Sequence, residues 1–297
     1  MYPRPALLRA NYSIILCIVG IVRRKFKASP LSMNDKKSVD AIISCLSAAK
    51  LKPYKRLGFK NDWEMVQGYF LLLDVSSHFI APLQLLEVAL RNKMHSAIWA
   101  LCTKEDWYKT VPISTESKRQ VAEALRSARQ DLGSSATPDD IVSRLMMGFW
   151  VYLLDTPYRT TGPNNLWQKC KDEVFPAAKT ESIASIFDEL KTLNKLRNRL
   201  FHHEPIWKAS GINNMTVALA RTSSQYDRVL KVLKWISPEK HSVVLGLHMK
   251  KRFDAYCHIS SFNPSPSAEQ EAEALKAKAE AETLKAKEAS TNAGSIL

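Results

Sequence analysis

Residues 196–205 read L-R-N-R-L-F-H-H-E-P, and four of these ten residues are Arg or His. Such a cluster suits cleavage of RNA without a metal. In that reaction a 2′-hydroxyl loses a proton as it attacks the neighbouring phosphorus, the leaving 5′-oxygen gains one, and the phosphorane between them carries extra negative charge. Histidine fits the proton steps because its unperturbed pKa of ~6.5 lies near working pH. Arginine fits the charge, since its fork of donors matches phosphate oxygens and keeps its proton. On a helix Asn198 and His202 share a face, as do Arg199 and His203, whereas Arg197 lies about 140° from His202. A distorted last turn would bring Arg197, Asn198 and His202 to one side, with Asn198 orienting His202 or binding a phosphate oxygen. A structural reading stands beside the chemical one, because His and Arg in a helix's last turn are favoured by its dipole whatever the protein does. A metal site is not expected: His202 and His203 are adjacent and face apart, and no H-x-x-x-H or H-E-x-x-H accompanies them. No cofactor is expected either.

The elements that must position this cluster read as helix after helix. The run 182–201 places Ile183, Ile186, Leu190, Leu193, Leu196 and Leu200 on one stripe, and Pro205 forces an end near His203 or Glu204. Residues 63–80 form a long apolar-rich segment, and 83–100 carry Leu86, Leu90, Met94 and Ile98 near helical spacing, with Pro82 in the first turn. Within the latter, Glu87 precedes Arg91 by four, the favourable order for a pair on one face. This pair either lines the cleft of the Arg/His cluster or ties the bundle as an intrahelical or interhelical ion pair. A helix over 115–132 stops at Gly133. The next opens at Thr137-Pro138-Asp139-Asp140 and runs through Ile141, Leu145, Phe149 and Leu153. Met146, Met147, Phe149 and Trp150 read as core. A short helix over 166–174 and two more over 221–236 and 238–257 complete an all-α bundle with antiparallel neighbours.

Composition narrows the partners. The 297 residues hold 43 Lys and Arg against 29 Asp and Glu, a net charge of +14, with 45% hydrophobic residues and only 9 Gly. That composition excludes collagen-like and wholly disordered chains, and a basic field favours a polyanion. Residues 1–32 hold six bases and no acid, and the stretch from Ala268 onward holds six Glu and four Lys, so +10 of the +14 lies between. The first 32 residues form an apolar and basic extension, read either as an upstream start assigned before Met33 or as a short anchor. Residues 33–262 are the helical domain. Residues 263–297 are an Ala/Glu/Lys-rich tail that reads as a solvated helix lacking a core-facing stripe. Five widely spaced cysteines without C-x-x-C argue against a disulfide framework, imply a reducing cytoplasm, and read as buried, inert thiols.

The segment R-N-R-L-F-H-H-E-P-I-W, residues 197–207, resembles the signature of the Abi-like (abortive infection, AbiD/AbiF-type) proteins of the wider HEPN superfamily, with its R-x(4–6)-H motif. Three further stretches match in order: L-E-V-A-L-R-N at 86–92, M-G-F-W at 147–150, and 226–238 ending in W-I-S-P. The stretch S-A-A-K-L-K-P-Y at 47–54 is similar to the family's opening element, so the likeness covers roughly residues 40–240. The resemblance implies a HEPN-like helical bundle with additional helices. It also implies an endoribonuclease or RNA-binding toxin of phage defence, with RNA as partner. Homodimers with a composite active site are common in that group, and an antitoxin, protein or RNA, is a further implied partner. Carried over residue by residue, the motif falls on Arg197 and His202 with Asn198 between them. His203 and Glu204 match the extended H-H-E-P, and Arg199, Glu87 and Arg91 are supporting positions.

Overall fold

The longest helix among the described residues, Ile80–Cys102, is the hub of the body. In the computed structural model, which describes residues 36–159 and 165–261, every regular element is helical and no strand occurs among the described residues. The helices are α1 (Lys36–Leu46), α2 (Ala48–Leu51), α3 (Asp62–Ser77), α4 (Ile80–Cys102), α5 (Thr115–Leu132), α6 (Pro138–Arg144), α7 (Met147–Tyr152), α8 (Leu166–Val174), α9 (Ile183–Phe201), α10 (Met215–Ile236), α11 (Pro238–Gly246) and α12 (Met249–Tyr256). Residues 47–264 form one compact unit, and α1 belongs to another. The 1–32 extension and the 263–297 tail lie outside the described residues.

Helix α4 packs against α7, α8 and α10, which explains why Leu83, Leu86, Ala89, Leu90, Met94, Ala97 and Ile98 are all buried. A helix apolar nearly all round is one surrounded by neighbours. By length and composition alone, residues 62–102 would also pass as apolar enough to cross a membrane. In the fold, Leu72, Val75, Phe79 and Leu86 of this stretch are instead core. Two aromatic clusters fill the rest. Trp107 packs against Phe149 and Trp150 at ring-centroid distances of 6.3 and 6.0 Å. Tyr226 stacks on Phe253 at 4.0 Å, with Phe79 edge-on to both.

Several sequence expectations are corrected. The single helix expected from 138 through Leu153 is broken into α6 and α7, with Leu145 and Met146 extended between them. The break survives because α4 satisfies both loose ends: the Glu87 carboxylate accepts the Met147 N–H at 3.0 Å, and the Arg91 guanidinium donates to the Ser143 carbonyl at 3.1 Å. An acid at a helix start and a base at a helix end also suit the two dipoles. The break turns Met146 outward, 60% exposed rather than core, while Met147, Phe149 and Trp150 are buried as expected. Helix α10 begins at Met215, six residues before the expected 221, because Asn214 caps it by accepting the Val217 N–H. The expected 238–257 helix divides at His248, which takes a left-handed φ of 55°. The thiols also differ from the expectation, since Cys45 is exposed and Cys102 and Cys257 are half-buried, while Cys170 is buried. Burial pushes the Cys170 and Cys257 thiols up to about 11.

Candidate functional site

Helix α9 carries the Arg/His cluster at its carboxyl end. Its start is fixed by Ser182, which accepts the Ser185 N–H, and its inner face buries Ile186, Phe187, Leu190, Leu193 and Leu196. Its end is a Schellman turn. The His203 N–H donates to the Leu200 carbonyl at 3.1 Å and the Glu204 N–H to the Arg199 carbonyl at 2.8 Å, with His203 left-handed at φ 56°. The end thus falls where Pro205 requires it. Beyond it, Ile206 and Trp207 are buried anchors, Gln225 donates to the Ile206 carbonyl, and Arg199 donates to the Lys208 carbonyl at 2.8 Å. Arg199 therefore clasps the returning chain.

Arg197 is held on three sides. Its Nε donates to Glu87 Oε2 at 3.3 Å across α9 and α4, and both side chains are only about one-fifth exposed, at 21% and 22%. Its Nη1 donates to Asn198 Oδ1 at 3.5 Å. Its guanidinium lies 4.5 Å from the centre of the Phe201 ring, one turn further along. Glu87 takes the Nε–H, Asn198 takes an Nη1 N–H and Phe201 lies against the plane, so Nη2 and the second Nη1 N–H are the donors left for an incoming oxyanion.

Glu87, Arg197 and Asn198 are therefore brought together, with Arg91 one turn away on α4 at the α6 end. Glu87 and Arg91 do not pair with each other; Glu87 makes an interhelical ion pair with Arg197, and Arg91 donates to Ser143 and to Asn92. His202 caps α9 through its N–H to the Asn198 carbonyl at 2.9 Å. His202, His203 and Glu204 are exposed, and neither imidazole has a hydrogen-bond partner among the described residues. Arg197 and His202 share the last turn but make no hydrogen bond to each other. No group of three His, Cys, Asp or Glu side chains that could hold a metal occurs among the described residues.

Several neighbours were not anticipated. Asn194, buried one turn before Asn198, lays its amide 3.4 Å from where a Cβ on Gly148 would stand. Its sequence signal was a polar residue inside the apolar stripe. Phe201 and Lys50 also escaped notice; the Lys50 ammonium donates to the His203 carbonyl, and no spacing rule reports a contact between residues so far apart. Two clefts of the body lie away from this turn, one of about 350 Å³ lined by Arg159, Trp167 and Lys171, another of about 600 Å³ lined by Tyr108, Arg129 and Pro138. Phe201, His202, His203 and Glu204 of the turn are exposed. A scan of protein-family models and searches of curated proteins and of solved structures return no match to this chain.

Proposed function

We propose that this protein is a metal-independent endoribonuclease of the HEPN type, acting on cellular or phage RNA in an abortive-infection defence. The observation that carries the reading is the locked Arg197, held by Glu87, Asn198 and Phe201 with Nη2 uncommitted, on the same turn as an exposed His202 whose imidazole has no hydrogen-bond partner among the described residues. Preorganised charge is the largest single contribution to stabilising a developing oxyanion, and Arg197 needs no reorganisation to supply it. His202 moves the proton, either from the 2′-hydroxyl or to the 5′-oxygen. One imidazole cannot occupy both sides of the phosphorus at once, so two copies of the turn, one from each protomer of a homodimer, complete the site. The exposed residues 201–204 suit a polymer, whereas small ligands take enclosed clefts.

The ion pair itself favours a second reading. An Arg that neutralises a half-buried Glu between two helices is what a non-catalytic RNA-binding or protein-interaction module would keep for stability. Total RNA incubated with the purified full chain in EDTA, beside His202→Ala and Arg197→Ala, separates the two. The nuclease reading expects cleavage by wild type alone, with a steep dependence on protein concentration. RNA left equally intact by all three at dimer-forming concentrations sinks it.

A further inference from the structure

Residues 47–60 contain five bases, Lys50, Lys52, Lys55, Arg56 and Lys60, and no acid. Leu51, Tyr54 and Leu57 are buried at a spacing of three, which anchors this segment through α2 and the 3₁₀ turn Tyr54–Leu57 and turns Lys52, Lys55 and Arg56 out to solvent. The segment is fastened to the Arg/His turn at two points. The Lys50 ammonium donates to the His203 carbonyl, and the Tyr54 ring meets Trp207 edge-on at 5.2 Å. Elsewhere many surface bases are neutralised: Arg119, Arg144, Arg228, Lys231 and Lys250 all pair with carboxylates. Lys52, Lys55, Arg56 and Lys60 make no ion pair among the described residues. Like charges gathered this closely repel one another and bind a polyanion that relieves them.

We infer that residues 47–60 are the track along which a single-stranded RNA backbone is led to the Arg197–His202 turn. This rests on the reading of that turn as RNA-directed. The strand is single because Phe201, whose ring carries the Arg197 guanidinium on one face, is a 44% exposed residue against which an unpaired base can stack; a base inside a duplex cannot reach it.

The test measures anisotropy of a labelled single-stranded oligouridylate bound to the full chain carrying His202→Ala, across a salt series. Each phosphate contact contributes a salt slope of ~0.7 for a single strand, so the triple Lys52→Gln, Lys55→Gln, Arg56→Gln should flatten the slope by about 2. The equally neutralising triple Lys118→Gln, Arg126→Gln, Arg129→Gln on α5 should leave it nearly unchanged, and Lys52→Arg with Lys55→Arg should retain it. Equal losses from both triples would overturn the track, leaving only a general effect of net charge. So would a duplex RNA competitor as effective as the single strand. The same holds if the 52/55/56 triple loses binding to phosphatidylserine vesicles while binding oligouridylate normally. Failure of the nuclease reading is separate, since it would show as intact RNA from the wild-type chain while the track variants still bind less.

Discussion

Removing Glu87 is the most informative perturbation of the architecture, because one carboxylate serves two elements. It accepts the first N–H of α7 at 3.0 Å and the Arg197 Nε–H at 3.3 Å. A hydrogen bond to a charged group contributes about 1.5–3 kcal/mol. We place the Met147 bond at about 2 kcal/mol and the longer, one-fifth-exposed Arg197 contact at about 1 kcal/mol, so Glu87→Ala should cost about 3 kcal/mol. For a body of this size that lowers Tm by roughly 6–12 °C. Glu87→Gln keeps an acceptor for Met147 and should cost only about 1 kcal/mol. Urea unfolding of the full chain with Glu87→Ala, Arg197→Ala and the double variant isolates the pair, whose coupling should be about 1 kcal/mol. If Glu87→Ala costs under about 0.5 kcal/mol and the coupling is indistinguishable from zero, the clasp between α4, α7 and α9 does not hold the site.

Other outcomes follow from particular contacts. His95 is buried and accepts the Trp107 Nε1–H on Nδ1 at 2.9 Å, and burial, partly opposed by Asp139, holds its pKa below the ordinary value. The unfolded chain therefore takes the proton first: this stability is complete above the ordinary pKa of ~6.5 and is lost as pH falls below it and through the folded value. Urea midpoints at pH 7.5 and 5.5 should converge in His95→Gln relative to wild type. A Cβ on Gly68 would stand 2.1 Å from the Phe59 ring, so Gly68→Ala should cost about 1–3 kcal/mol by displacing it, read as a lower thermal midpoint. Asn214→Ala removes the cap that starts α10 and should cost about 1 kcal/mol in the same assay.

The helical class and most helix boundaries were legible in the sequence because apolar spacing, caps and prolines are local signals. Ser182, Thr137 and Gly133 mark helix ends where they were read, and Pro205 stops α9 as its ring requires. The break at Leu145 and Met146 was not legible, since the apolar stripe continues across it and what sustains it, Glu87 and Arg91, lies over fifty residues away in sequence. The start of α10 was missed for a different reason: Asn214 follows another Asn in a polar run that reads as loop. At the candidate site, the spacing of Arg197, Asn198 and His202 was visible, whereas the partner of Arg197 was not. An i, i+4 rule pairs Glu87 with Arg91, and only the packing of α9 on α7 and α4 exchanges that partner for Arg197.

A turn built from Arg197 and His202 that cuts RNA through the 2′-hydroxyl, without a metal, leaves a chemical signature on its products. The decisive experiment is therefore to identify the ends left when the full chain is incubated with RNA in EDTA. Wild type should leave 2′,3′-cyclic phosphate and 5′-hydroxyl ends, and His202→Ala neither. Cleavage that requires a divalent cation, or that leaves 5′-phosphate and 3′-hydroxyl ends, would contradict the proposed chemistry.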